Sequence, residues 1–131
     1  MLLDLHADSA EAIHEMGHHL ETTNTAMRER VAEFEQNRFG DEPFIDLGKD
    51  PRFSHMGYDE GELGRADNMH NLFPNEPEKA YYVGKKYDTG DTEILAMGLE
   101  LLIRDPLRFA KVDPEYFHFT MSCLQPAKSA A

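Results

Sequence analysis

The 131 residues carry a formal charge of −12, with 40 % hydrophobic and 29 % charged residues, the balance of a soluble chain of one globular domain. Phosphate backbones and anionic lipid surfaces call for clustered Lys and Arg, so this charge excludes nucleic acid and membranes as main partners. A single cysteine, Cys123, rules out an internal disulfide. That fits a reducing, cytoplasmic setting, and its apolar neighbours mark it as a buried, inert thiol.

Residues 1–7 are a brief apolar lead-in with Leu2, Leu3 and Leu5, too short and too soon charged for a signal peptide. A helix is predicted from about Ser9 to Glu21. Ile13, Met16, Gly17 and Leu20 recur on one face, and Asp8 with Glu11 forms a capping box at its start. A second helix is predicted from about Thr25 to Asn37, with Met27, Val31, Phe34 and the stem of Arg38 inward and Gly40 as its stop. Residues 41–77 are punctuated by Gly and Pro and read as one long irregular loop, either a substrate-facing lid or an insertion without chemical consequence. His55 and His70 lie there and read as solvated side chains.

The aromatic and β-branched run Ala80–Tyr87 reads as a short strand or hairpin, and residues 88–91 as a turn. Thr92 to about Arg104 is apolar nearly all round, which predicts a buried helix ended by Asp105-Pro106. A turn of helix over Leu107–Ala110 follows. Asp113-Pro114 then opens a last helix to about Leu124, packed by Tyr116, Phe117, Phe119, Met121 and Leu124. The expected fold is mainly α, a single domain over residues 1–124 with one short strand or hairpin and a tail over 125–131.

The chemistry concentrates in Ile13-His14-Glu15-Met16-Gly17-His18-His19-Leu20-Glu21. His14 and His18 stand one helical turn apart on one face, so two imidazoles can share a metal ion, with Glu15 beside its open position. Gly17 lets another backbone or a ligand come close. A catalytic zinc needs a third protein ligand. The pattern H-E-x-x-H-x-x-G-x-x-H is excluded, because Glu21 and Asn24 occupy its last two defined positions. Glu93, at the start of the most apolar helix, fits best, since a carboxylate there is costly without a cation; complementing the helix dipole is the alternative. Glu100 or Glu21 could orient an imidazole from behind. Tyr87, then Tyr82, are the candidate donors to an oxyanion, unless both are half-buried strand aromatics.

His14-Glu15-x-x-His18 with a downstream Glu93 resembles the gluzincin zinc metallopeptidases. The motif helix, Tyr82-Val83-Gly84-Lys85-x-Tyr87 and Thr92-Glu93-Ile94-Leu95-Ala96-Met97-Gly98-Leu99-Glu100 together look like the metallopeptidase-like domains of phage minor head (head morphogenesis) proteins, over about residues 9 to 120. The resemblance implies an α+β zincin-like catalytic core, Zn2+ on His14, His18 and Glu93, and Glu15 as general base. It also implies a peptide or protein substrate, and phage or host chains as partners of a cytoplasmic or virion-associated protein. Two positions depart from it. Gluzincins often carry an acid four residues after the ligand Glu, where this chain has Met97. They also place a β-sheet before the motif helix, where this chain has about a dozen residues, so a substrate groove is expected to come from elsewhere. Two other readings stand beside the enzyme: a phage head or assembly module with a structural or vestigial zinc site, and a zinc-free helical interaction domain.

Overall fold

The computed structural model describes residues 5–65, 71–87 and 89–125. The motif helix α1 spans Leu5–Thr23. It begins before Asp8, so the expected capping box does not start it; residues 5–13 hold no Gly or Pro to stop a helix from running through. Asn24 separates α1 from α2 (Thr25–Phe39). Its extended backbone breaks the helix, and its side chain accepts the Met27 N–H at 3.0 Å, capping α2. The helix ends at Gly40, whose φ of +53° only glycine adopts at little cost. It runs two residues beyond the expected Asn37 because Arg38 is held there. The guanidinium is buried against Asp113, donating at 2.9 and 2.5 Å to the two carboxylate oxygens.

The described residues of 41–77 carry more regular structure than the expected loop. Two short strands, β1 (Ile45–Asp46) and β2 (Leu63–Gly64), pair antiparallel with Ile45 opposite Gly64. Asp46 holds the turn between them, its carboxylate accepting the N–H groups of Gly48, Lys49 and Gly61. Leu47, Phe53 and Leu72 are buried. Arg65 lies over the rings of Phe39 and Phe44, at 4.7 and 4.0 Å to their centroids.

The strand or hairpin expected over Ala80–Tyr87 is corrected: its first half is helix, the end of α3, which spans Pro77–Val83. Pro77 suits the first helical position. Ala80 and Val83, three apart, are both fully buried, and that helical spacing overrides the strand preference of the tyrosines. Only Lys86 is strand-like, bridging Leu63 on one side and Thr92 on the other.

The last three helices match expectation closely. These are α4 (Ile94–Arg104), α5 (Pro106–Val112) and α6 (Pro114–Leu124). Asp105 and Asp113 cap α5 and α6 through the N–H groups of Arg108 and Tyr116. Every residue from Ile94 to Leu99 is buried, so α4 is the axis on which the fold is built, with α1 along one side and α5 and α6 along another. Two glycines set these crossings. A Cβ on Gly17 would stand 2.7 Å from the Ala96 Cα, and one on Gly98 would stand 2.4 Å from the Thr120 hydroxyl oxygen. Phe109 and Tyr116 complete the core, the Tyr116 hydroxyl donating to the Ile94 carbonyl. Met121 and Leu124, expected to pack α6, are 38 % and 47 % exposed; Thr120 and Cys123 face inward instead. Among the described residues, no helix is long and apolar enough to cross a membrane.

Candidate metal centre

The close α1–α4 crossing at Gly17 carries the turn of His14 and His18 to the beginning of α4. Glu93 meets them there from the N-cap position, one residue before the helix in which it was expected. One oxygen of Glu93, Oε1, lies 3.2 Å from His14 Nε2 and 3.0 Å from His18 Nε2, and the two imidazole nitrogens are 3.2 Å apart. Among the described residues, these three form the His/Cys/Asp/Glu group close enough to share a cation. Ligand atoms at about 2.0–2.1 Å from a tetrahedral zinc stand roughly 3.3–3.4 Å from one another, so the triangle needs almost no adjustment to accept one.

Burial sharpens the point. Glu93 is 1 % exposed, and among the described residues its Oε1 receives no hydrogen bond while facing two ring nitrogens. A buried carboxylate oxygen left in this way is unfavourable unless a cation meets it. Two imidazoles and one carboxylate make a donor set suited to zinc, so the residues present fit the metal.

The surrounding groups hold the three side chains in place. Tyr87 donates its hydroxyl to Glu93 Oε2, leaving Oε1 to the histidines. His14 turns its other nitrogen, Nδ1, towards Glu100 Oε1 at 3.2 Å, within ion-pairing distance though out of line for a hydrogen bond. Glu100 is itself paired with Arg104. The acid behind His14 thus stands seven residues after Glu93 rather than four, two helical turns on instead of one. Glu21, the other candidate for that duty, is not against an imidazole: it is 2 % exposed and bound to Thr92. Burial lifts its carboxyl above the usual carboxylate range, against the lowering effect of the Thr92 bonds.

Beside the triad is a cavity of about 380 Å³ lined by His14, Glu15, Tyr82, Met97 and Glu100, with Glu11 and Lys79. Glu15 is exposed on α1 and fronts this space. Met97, in the place where an acid was sought, supplies apolar wall instead. Tyr82 and Tyr87 both keep their protons far beyond neutral pH, first because burial disfavours the phenolate and then because Glu93 lies beside them. Of the predicted site residues, His14, His18, Glu93 and Tyr87 come together, with Glu15 and Tyr82 on the adjoining cavity. His55 is exposed on a 3-10 turn (Ser54–Met56), and His70 lies outside the described residues.

Sequence reasoning missed Thr92 and the pair Arg28–Asp91. Asp91 accepts from Arg28 at 2.5 Å and from Thr22, and Arg28 also donates to the Thr89 carbonyl. These bonds fasten the 89–92 segment to α1 and α2. The only signal for them was that Asp91 and Thr92 are helix-capping residue types. No family model, curated protein or solved structure matches the chain.

Proposed function

We propose that this chain is a zinc-dependent metallopeptidase-type domain of gluzincin character, in which His14, His18 and Glu93 hold the metal and Glu15 carries the proton of the attacking water. The observation that carries the reading is the orphaned, buried Glu93 Oε1 set against two imidazole nitrogens, with Glu15 on the adjoining cavity. When bound, zinc supplies Lewis acidity, lowering the pKa of a water molecule and polarising a carbonyl.

The chain's own groups do the rest. Glu15 is a carboxylate on the cavity side, able to take the water proton on one oxygen and return it to the departing amine. Tyr82, protonated, beside Glu93 and lining the cavity, is the hydroxyl that would turn to donate to an oxyanion there. Tyr87 is already committed to Glu93 and serves to hold that carboxylate still. The substrate is a peptide or protein segment. The resemblance to phage head morphogenesis proteins makes other phage or host chains the natural partners, in the cytoplasm or on a virion, with no role for nucleic acid or membrane.

One observation favours the second reading, an assembly module stapled by zinc. Among the described residues the strands are only two residues long, too short for the edge-strand pairing by which such peptidases grip substrate. Replacing Glu15 with Gln separates the two. The enzyme reading expects one zinc per chain in both forms by elemental analysis, and cleavage of a peptide library by the wild type alone. A wild type that binds zinc and cleaves nothing leaves the staple.

A further inference from the structure

His14, His18 and Glu21 occupy α1 at spacings of four and three, so all three face the start of α4. The histidines meet Glu93 and the glutamate meets the residue before it. Glu21 Oε2 accepts the Thr92 backbone N–H at 2.6 Å, and Oε1 accepts the Thr92 hydroxyl at 2.8 Å. The hydroxyl oxygen in turn accepts the Ile94 N–H at 3.2 Å. The Glu93 side chain caps nothing; its carbonyl accepts the Met97 N–H at 2.8 Å, and the bonds to Thr92 and Ile94 hold the residues on either side of it. Both Glu21 and Thr92 are buried, at 2 % and 3 % exposure, which removes water as a competing partner. A buried carboxylate whose hydrogen bonds, among the described residues, come from one residue's backbone and hydroxyl is a costly means of packing two helices, since an apolar pair of similar shape would do so more cheaply.

We infer that Glu21 is a positioning residue of the metal centre: by clamping Thr92 it fixes the place of the Glu93 carboxylate against His14 and His18. This rests on the zinc reading above. The clamp acts through the backbone. Without it, Asp91 keeps its bonds to Thr22 and Arg28, but Thr92 is released from α1, and Glu93 Oε1, one residue on, leaves the position it shares with the imidazoles. Gln in place of Glu21 keeps the clamp, because its carbonyl oxygen accepts the Thr92 N–H and its amide donates to the Thr92 hydroxyl oxygen. Ala removes it. Thr92→Val keeps the shape of residue 92 and loses the hydroxyl half.

The test is zinc affinity, measured on the full chain by competition with a chromophoric chelator, together with the visible absorption of the Co2+-loaded protein. Glu21→Ala is expected to weaken zinc about 10- to 100-fold and to alter the intensity of the Co2+ bands, as loss of an outer support for a ligand does. Thr92→Val is expected to weaken it less, and Glu21→Gln to recover most of the loss. If Glu21→Ala does not fold, Thr92→Val decides. Variants that melt at lower temperature yet bind zinc like the wild type, with the same Co2+ spectrum, overturn the positioning role and leave the metal reading intact. A wild-type chain that binds neither ion overturns both.

Discussion

Leaving Glu93 Oε1 buried without a donor costs about 1–3 kcal/mol in the metal-free chain, more where the group is charged. Glu93→Gln removes that charge at nearly constant volume. Its metal-free form is therefore expected to melt no lower than the metal-free wild type, while any rise in melting temperature on adding zinc disappears. Calorimetry of both proteins with and without zinc checks this, and a large loss of metal-free stability would count against the strain argument. Tyr87→Phe is expected to weaken zinc binding about tenfold by freeing Glu93 Oε2 to turn. The tyrosines also predict a pH window. The Tyr82 and Tyr87 pKa values are raised above the ordinary value of 10.0, so their contribution is fully present below about pH 10 and lost as pH rises through the folded values. The part of the phenolate absorbance that Tyr82→Phe and Tyr87→Phe remove should then appear together with unfolding on alkaline titration. The site was partly legible at this scale. His14 and His18 follow from a helical repeat, and Glu93 from the oddity of an acid opening an apolar helix. The Glu21–Thr92 bonds join residues 71 apart, and no local pattern encodes such a pairing.

Helices were read well wherever apolar period and caps agreed. The boundaries of α4 to α6 follow from Asp-Pro steps that stop one helix and cap the next. The reading failed at α3, where a short aromatic run carries strand preference and only burial of Ala80 and Val83 on the folded core decides for helix. It failed also at β1 and β2, whose two-residue strands are too short to leave a periodic trace. Gly17 was read as a point of close approach, and the approach is that of the Ala96 backbone. Gly17→Ala gains about 1 kcal/mol of helix propensity, but a Cβ 2.7 Å from a backbone atom forces the helices apart. The net effect is expected to be destabilising by about 1–3 kcal/mol, as overpacking is. Displacing α1 also separates His14 and His18 from Glu93, so zinc affinity falls with stability. A Gly17→Ala chain that is more stable and binds zinc unchanged would show that α1 has room to move.

At the scale of the whole molecule the triad joins α1 to the central helix α4, so a metal bound there would link its binding to global stability. Any ligand that binds only the folded chain stabilises it by mass action, about 2.7 kcal/mol at a free concentration 100 times its dissociation constant. For a chain of this length that corresponds to a rise of roughly 10 °C in melting temperature. His14→Ala should show no such rise. The pH dependence separates this linkage from the ion pairs that secure the loops. Asp91 is held below its ordinary 3.8 by Thr89 and Arg28, and Glu62 below its ordinary 4.5 by Lys85. Their contributions are present above those ordinary values and lost only as pH falls through the still lower folded ones. Glu21, raised by burial, has the opposite sign and favours the fold as it protonates. Metal ligands, by contrast, must all be deprotonated to bind, so protons compete with zinc from a much higher pH. Between about pH 7.5 and about pH 5.5 the zinc-dependent rise should therefore shrink steeply, while the melting temperature of the metal-free chain stays nearly level. Thermal melts at the two pH values, with zinc and with chelator, measure both quantities. A metal-free chain that loses as much stability as the loaded one over that interval would place the pH sensitivity in the ion pairs, and would remove the link between His14, His18, Glu93 and the stability of the fold.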